Sequence, residues 1–429
     1  MHLRTLSVLL PAAFIFLLGC TDESVVDPGD DGIPVPAAYA FDSRFEEGTS
    51  SVFYGGQVVR NLLVNDLKIH VDGLSKDGAA AIAEEDLLRR YEYQDVYDLT
   101  TLTSAGTTPL LEDGYSRIAT EKDLIGKLDG APLIGWGQPA DAVLRGYFQQ
   151  IAANSEDASK RGTPAAYTSD DGVDMSQMIN KILLGAVVYS QATGTYLNTI
   201  LDRDNGAPSG DNAFTTMEHA WDEAFGYFGA ARDYAQYSDQ DLADDLLWRD
   251  SNSDGAIDLQ SEYNYAYARN AAKRDQGGTG VDFTGDIFQA FLEGRTAIVN
   301  EASAQQIAAQ RDIIVSTWDE VVASTVVHYI NDTMDDMASV TDEQLEDKNN
   351  AALNTHWAEM KGYAFALQYN PFKAITDAQL GEIHELIGDA PVYALPGSEA
   401  ASSAESDLLA ARDILQSAYG FSDDNVAGW

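Results

Sequence analysis

The stretch IIVSTWDEVVASTVVHYI, residues 313–330, decides how the chain is to be read. Ile314, Trp318, Val321, Val322 and Tyr329 recur there at helical spacing and fall on one face of a long amphipathic segment. Working outward, the same periodicity predicts further helices at 84–97, 140–153, 175–201, 216–237, 260–274, 287–301, 350–368 and 406–419. Alternating strand patterns are scarce. Gly-, Asp-, Ser- and Thr-rich loops at 155–173, 202–212 and 276–285 separate the helices, so the expected fold is all-α, a packed helical bundle.

The amino end reads differently. His2 and Arg4 precede an apolar run from Leu6 to Leu18, too short for a comfortable membrane span and laid out as a secretory signal. It closes as Leu17-Leu18-Gly19-Cys20, which resembles the bacterial lipobox. Cys20 is therefore the expected lipid acceptor, and residues 1–19 the removed signal peptide. It is the only cysteine, so no disulfide can form within the chain. Residues 20–40, with Asp22, Glu23, Asp27, Asp30 and Asp31 among Gly and Pro, are expected to form an acidic tether. An acidic stretch after such a cysteine resembles the surface-export signal of Bacteroidota lipoproteins, which implies an outer-membrane, surface-exposed address or else a periplasm-facing one.

The formal net charge of −43 argues against nucleic acid as a partner and against anionic membrane surfaces. It suits a surface kept soluble in salt, and it would also concentrate cations. An apolar fraction of 45% and 21 tyrosines point to a folded domain, expected over residues 41–425.

The strongest local motif is Asp250-Ser-Asn252-Ser-Asp254-Gly255-Ala256-Ile257-Asp258-Leu-Gln-Ser261-Glu262. Calcium takes six to eight hard oxygens. Side-chain oxygens of Asp250, Asn252 and Asp254, a turn at Gly255, the main-chain carbonyl of Ala256 and the carboxylate of Asp258 could wrap one ion from a short segment. Position 12 is Ser261, so either Glu262 closes the loop one residue late or the bidentate closing ligand is missing. The loop resembles an EF-hand without completing its pattern, and a structural Ca2+ is expected there.

A second feature is an echo. His219-Ala-Trp221-Asp222-Glu223-Ala-Phe-Gly226-Tyr227 and His356-Trp357-Ala-Glu359-Met-Lys-Gly362-Tyr363 both contain W-x-E-x-x-G-Y when aligned on Trp. It suggests two pseudo-symmetric bundle halves, 41–249 and 263–425, joined by the loop at 250–262. On helices, His219 with Glu223 and His356 with Glu359 each share a face, and the four could offer imidazole and carboxylate to one metal. The competing reading is helix cross-linking and packing. His70, His328 and His384 read as ordinary surface or boundary residues. There is no H-E-x-x-H, G-x-S-x-G, P-loop or cysteine nucleophile.

The segments DLQSEYNYAYARNAAKRD (258–275), FTGDIFQAFLEGRTAI (283–298) and HWAEMKGYAFALQYNP (356–371), with the region 54–74, resemble the Bacteroidota lipoproteins grouped as domain of unknown function 4856. That group is similar in character to imelysin-like envelope proteins, helical and marked by G-x-H-x-x-E. Here Met217-Glu-His219-Ala-Trp-Asp222 lacks both the Gly and the Glu, while His356-Trp-Ala-Glu359 keeps H-x-x-E. The resemblance implies a non-enzymatic binding lipoprotein that handles iron, haem or another nutrient beside an outer-membrane transporter or companion lipoprotein. A metal-dependent envelope hydrolase and a partner-binding scaffold are the alternatives.

Overall fold

A computed structural model describes residues 32–92, 108–111 and 121–429. The signal segment, Cys20 and most of the tether lie outside the described residues. Among the described residues there are α-helices, short 3-10 turns and isolated β-bridges but no strands, so the all-α expectation holds. No described helix is long and apolar enough to cross a membrane.

The quoted stretch lies in the spine of the fold. It belongs to a single 34-residue helix, Ala304–Met337, which we label α9. Ser303 starts it with a capping box, its hydroxyl accepting from Gln306 N–H while the Gln306 side chain reaches back. Trp318, Val321 and Val322 are fully buried, as the periodicity requires.

Before it come α1 (Gly55–Asp72), α2 (Glu84–Tyr91), α3 (Ala140–Glu156), α4 (Met175–Leu183), α5 (Thr216–Phe228), α6 (Asp239–Ala243), α7 (Ala266–Gly277) and α8 (Phe283–Val299). After it come α10 (Asp342–Asp347), α11 (Ala351–Ala366), α12 (Asp377–Ile387), α13 (Glu399–Tyr419) and α14 (Asp423–Gly428). The helix expected over 216–237 stops at Phe228 because Gly229 turns left-handed, φ 83°, and caps it.

The segment read as one helix over 175–201 is α-helical only to Leu183. It continues as a π-helix, Leu184–Leu197. Such a widened stretch is rare and often attends functional sites. At Gly185 the chain meets α11 so closely that a Cβ would lie 2.9 Å from Ala366 Cα.

The expected halves do not form separate bundles. α11 packs on α4 as well as on α9, and α5 packs on the π-helix and on α8, so helices from both halves share one apolar core. The packed chain also begins inside the expected tether. Tyr39 is fully buried, stacks 3.8 Å from the Phe225 ring and donates to Asp222. At the far end Trp429 is buried and donates from its indole to the Arg274 carbonyl.

A polar knot sits in this core. Arg295, wholly buried, donates to Asp222 at 2.9 Å, Glu218 at 3.1 Å and Ser51 at 2.8 Å. The guanidinium thus ties α8 to α5 and to the strap leading into α1.

Candidate functional site

The two echoed segments are α5 and α11, and their matching residues perform matching tasks. Trp221 donates to the Phe291 carbonyl at 3.0 Å, and Trp357 to the Ile387 carbonyl at 3.2 Å. Gly226 admits the Tyr54 side chain, and Gly362 admits that of Lys181, each nearer than any Cβ would permit. Tyr227 stacks on Tyr196 and Tyr363 on Tyr329.

The histidines part company. His219 donates from Nδ1 to the Phe53 carbonyl, stacks 4.6 Å from the Phe214 ring and has Glu223 at 3.7 Å. Glu223 is held by Gln57 and Tyr196. His356 instead bonds Asp336 at 2.7 Å and lies beside Asp332 and Tyr329. None of the neighbours named for His219 touches His356. The geometry therefore does not gather His219, Glu223, His356 and Glu359 into one ligand set: one pair sits on the α1–α5 side and the other against α9. Among the described residues no three His, Cys, Asp or Glu side chains already stand at metal-ligand spacing.

Glu359 turns instead toward a cleft. It is buried and pairs with Lys181 of α4 at 3.0 Å, with Tyr329 beside it. Burial alone would raise its pKa. Lys181 and Tyr329 outweigh this and hold Glu359 below the usual carboxylate range. For Lys181 burial works against the charge, yet Tyr363 and Glu359 keep it above the ordinary lysine value, so the pair is ionised at neutral pH.

The cleft, about 340 Å³, lies between α1, α4, α7 and α11. Its walls carry five amides, Asn61, Asn65, Asn180, Asn264 and Asn270, with Tyr263, Tyr265 and Tyr363. Lys68, Lys181 and Arg269 face Asp72 and Glu359 there. In a chain with 26 basic residues against 69 acidic ones, three cations line this cleft, each ion-paired: Lys68 with Asp72, Lys181 with Glu359 and Arg269 with Asp245.

Two histidines read as ordinary from sequence are not. His384 is buried, stacks 4.4 Å from Phe365 and leaves both ring nitrogens without a partner. Burial, with Lys361 beside it, keeps the ring neutral. His328 donates from Nδ1 to the main-chain oxygen of Trp429 at 2.7 Å and has Asp332 at 3.3 Å from Nε2. The signal was available: His328, Asp332 and Asp336 recur every four residues and so share a helical face.

The profile of the family described as Domain of unknown function (DUF4856) matches residues 36–380. The chain belongs to this family. No curated protein and no solved structure matches it. The matched span takes in the buried strap at Tyr39, both echoed helices, the whole cleft and the His328–His356 neighbourhood, while α13 and α14 lie beyond it.

The acidic loop of this DUF4856 chain is curled by its own side chains. Asp250 accepts from the N–H groups of Asp254 and Gly255, Asn252 from Asp254, and Asp254 from Ala256. Gly255 is left-handed, φ 89°, as its place in the turn requires. Asp258 accepts from Gln260 N–H and the Ser261 hydroxyl.

Glu262 has another task. Buried, it accepts from Ser251 N–H and hydroxyl, from Asn252 N–H and from Asp258 N–H, clamping both ends of the loop from within. Both its oxygens accept from the loop's own donors. Ile257, fully buried, anchors the loop by exchanging backbone bonds with Pro109 and Leu111.

Proposed function

We propose that this DUF4856 chain is a non-enzymatic envelope lipoprotein, anchored through Cys20 at the outer membrane, that binds a small polar, anionic nutrient for a neighbouring transporter or companion lipoprotein. The observation that carries the reading is the cleft: amide-lined and tyrosine-walled, with three ion-paired cations, on a strongly acidic chain. Binding sites are concave and few, with convergent polar groups that fix orientation. The buried Lys181–Glu359 pair forms part of its wall, fixed in place by Tyr329 and by the close packing at Gly362.

Of the iron forms considered, an iron hydroxycarboxylate suits these donors: its carboxylates and hydroxyls would meet Lys181, Lys68, Arg269 and the asparagines. Haem, a large apolar macrocycle, does not suit a cleft of this size and polarity. The acidic loop would hold one structural Ca2+ through Asp250, Asn252, Asp254, the Ala256 carbonyl and Asp258. The echo, whose residues do parallel work in α5 and α11, is consistent with an ancient duplication within a single core.

Titration of the purified protein with ferric citrate, followed by tyrosine and tryptophan fluorescence, tests the reading. Saturable micromolar binding that is lost in Lys181→Met, with helical content unchanged, is expected. Haemin binding that saturates while ferric citrate has no effect would contradict it.

A further inference from the structure

His328 and Asp332 of α9 and His356 of α11 lie side by side where the two helices pack. Asp332 Oδ2 lies 3.3 Å from His328 Nε2 and 3.9 Å from His356 Nε2. The opposite nitrogen of each ring is already committed. His328 Nδ1 sits 2.7 Å from the main-chain oxygen of Trp429, which can only accept, so this nitrogen carries the hydrogen. His356 Nδ1 sits 2.7 Å from Asp336 Oδ2, and against a carboxylate it too carries the hydrogen.

In the neutral rings the lone pairs then reside on the two Nε2 atoms. Both stand within 4 Å of one carboxylate oxygen. A single cation shared by the three donors would engage these lone pairs together.

The outer contacts follow the pattern of metal-binding histidines, whose second N–H is tied to a carboxylate or a backbone carbonyl and so fixes the tautomer and aim of the ring. Both arrangements occur here, Asp336 on one ring and the Trp429 oxygen on the other. Two imidazoles and one carboxylate, from side chains about a third exposed, leave coordination positions open to solvent.

We infer that His328, His356 and Asp332 form a binding site for a divalent first-row transition-metal ion, with Asp336 orienting His356. The donors are not closed on an ion in the structure. Ligands of one tetrahedral ion with bonds of about 2.0–2.1 Å stand about 3.4 Å apart, so the 3.9 Å separation requires His356 to move in by a few tenths of an ångström. Arg274, buried nearby on α7, opposes a positive charge here, and the carboxylates of Asp332, Asp336 and Glu359 offset it. The three ligands lie outside the cleft lining, although Glu359 borders both sites.

Cobalt(II) is the probe, because imidazole-bound Co2+ absorbs in the visible. The wild-type protein should bind one equivalent with visible bands that Zn2+ displaces. His328→Asn and His356→Asn should each weaken binding at least about tenfold. Asp336→Asn should weaken it about 10–100-fold, the usual cost of losing such an outer partner, while Asp407→Asn, exposed on α13, leaves it unchanged. Circular dichroism of each variant separates lost binding from lost folding. No saturable Co2+ or Zn2+ binding by the folded wild-type protein, or binding undiminished in the histidine variants, would overturn the site.

Discussion

A Cβ placed on Gly362 would stand 2.4 Å from the Cβ of Lys181. The two helices that carry these residues, α11 and α4, therefore approach at a distance that only glycine permits. That approach sets Lys181 beside Glu359 in the wall of the cleft.

Gly362→Ala should consequently do two things. Forcing α4 and α11 apart is an overpacking change, with an expected cost of about 1–3 kcal/mol in chemical denaturation. It should also weaken ligand binding in protein that remains folded. Gly381→Ala, on α12 with nothing within 4 Å of the added methyl, is the control and should leave both unchanged.

Among the described residues Arg295 is the one cation bonded to Asp222, and it shares Glu218 with Arg44. Arg295→Met leaves two buried carboxylates short of their counter-charge, and loss of one partner from such a cluster costs about 3–5 kcal/mol. Urea denaturation would read this directly. A loss under about 1 kcal/mol would show that water or a rearranged Arg44 replaces the guanidinium.

Asp319 gives a pH dependence with a defined sign. Burial raises its pKa to about 6, despite bonds from Ala374 N–H and the hydroxyls of Tyr419 and Tyr189. Because the folded value lies above the unfolded one, its contribution to stability is fully present below about pH 4 and is lost as pH rises through about 6. Relative to Asp319→Asn, the wild-type protein should thus gain stability on going from pH 7.5 to pH 4.5, by about 1–3 kcal/mol. The change with pH is the readout, since any lost hydrogen bond shifts the variant equally at both values. A difference independent of pH would contradict the assignment.

The acidic loop separates its two kinds of carboxylate. Asp254→Ala should abolish a calcium-dependent rise in melting temperature, and leave stability without calcium nearly unchanged, because Asp254 is exposed. Glu262→Ala should destabilise the protein with or without calcium, because it strips acceptors from buried donors at both ends of the loop. Thermal unfolding with and without calcium measures both effects.

Much of the fold was legible because apolar spacing reports directly on buried faces. Trp318, Val321 and Val322 are buried as their periodicity demands, and α3, α8 and α11 begin or end within a few residues of their expected limits. The π-helix at Leu184–Leu197 was not legible: its apolar content suits an α-helix, and the widening coincides with packing against α11. Nor was α12, whose short apolar pattern at Leu380, Ile383 and Ile387 is interrupted by Gly381.

The candidate site was legible in its parts but not in its grouping. His356 and Glu359 were found as an H-x-x-E pair, yet Glu359 serves Lys181 and the cleft while His356 faces α9. Helical spacing shows which residues share a face. It cannot show that α4, remote in sequence, supplies the counter-charge, or that His328 meets His356 across a helix interface.

The most direct measurement of the central claim is the affinity of the purified protein for ferric citrate, compared between wild type and Lys181→Met. The account predicts micromolar, saturable binding by the wild-type protein and at least about a tenfold loss in the variant, with circular dichroism unchanged and the cobalt bands retained. Equal affinities in the two proteins, or no binding by the wild type, would contradict the assignment of the cleft as the ligand site.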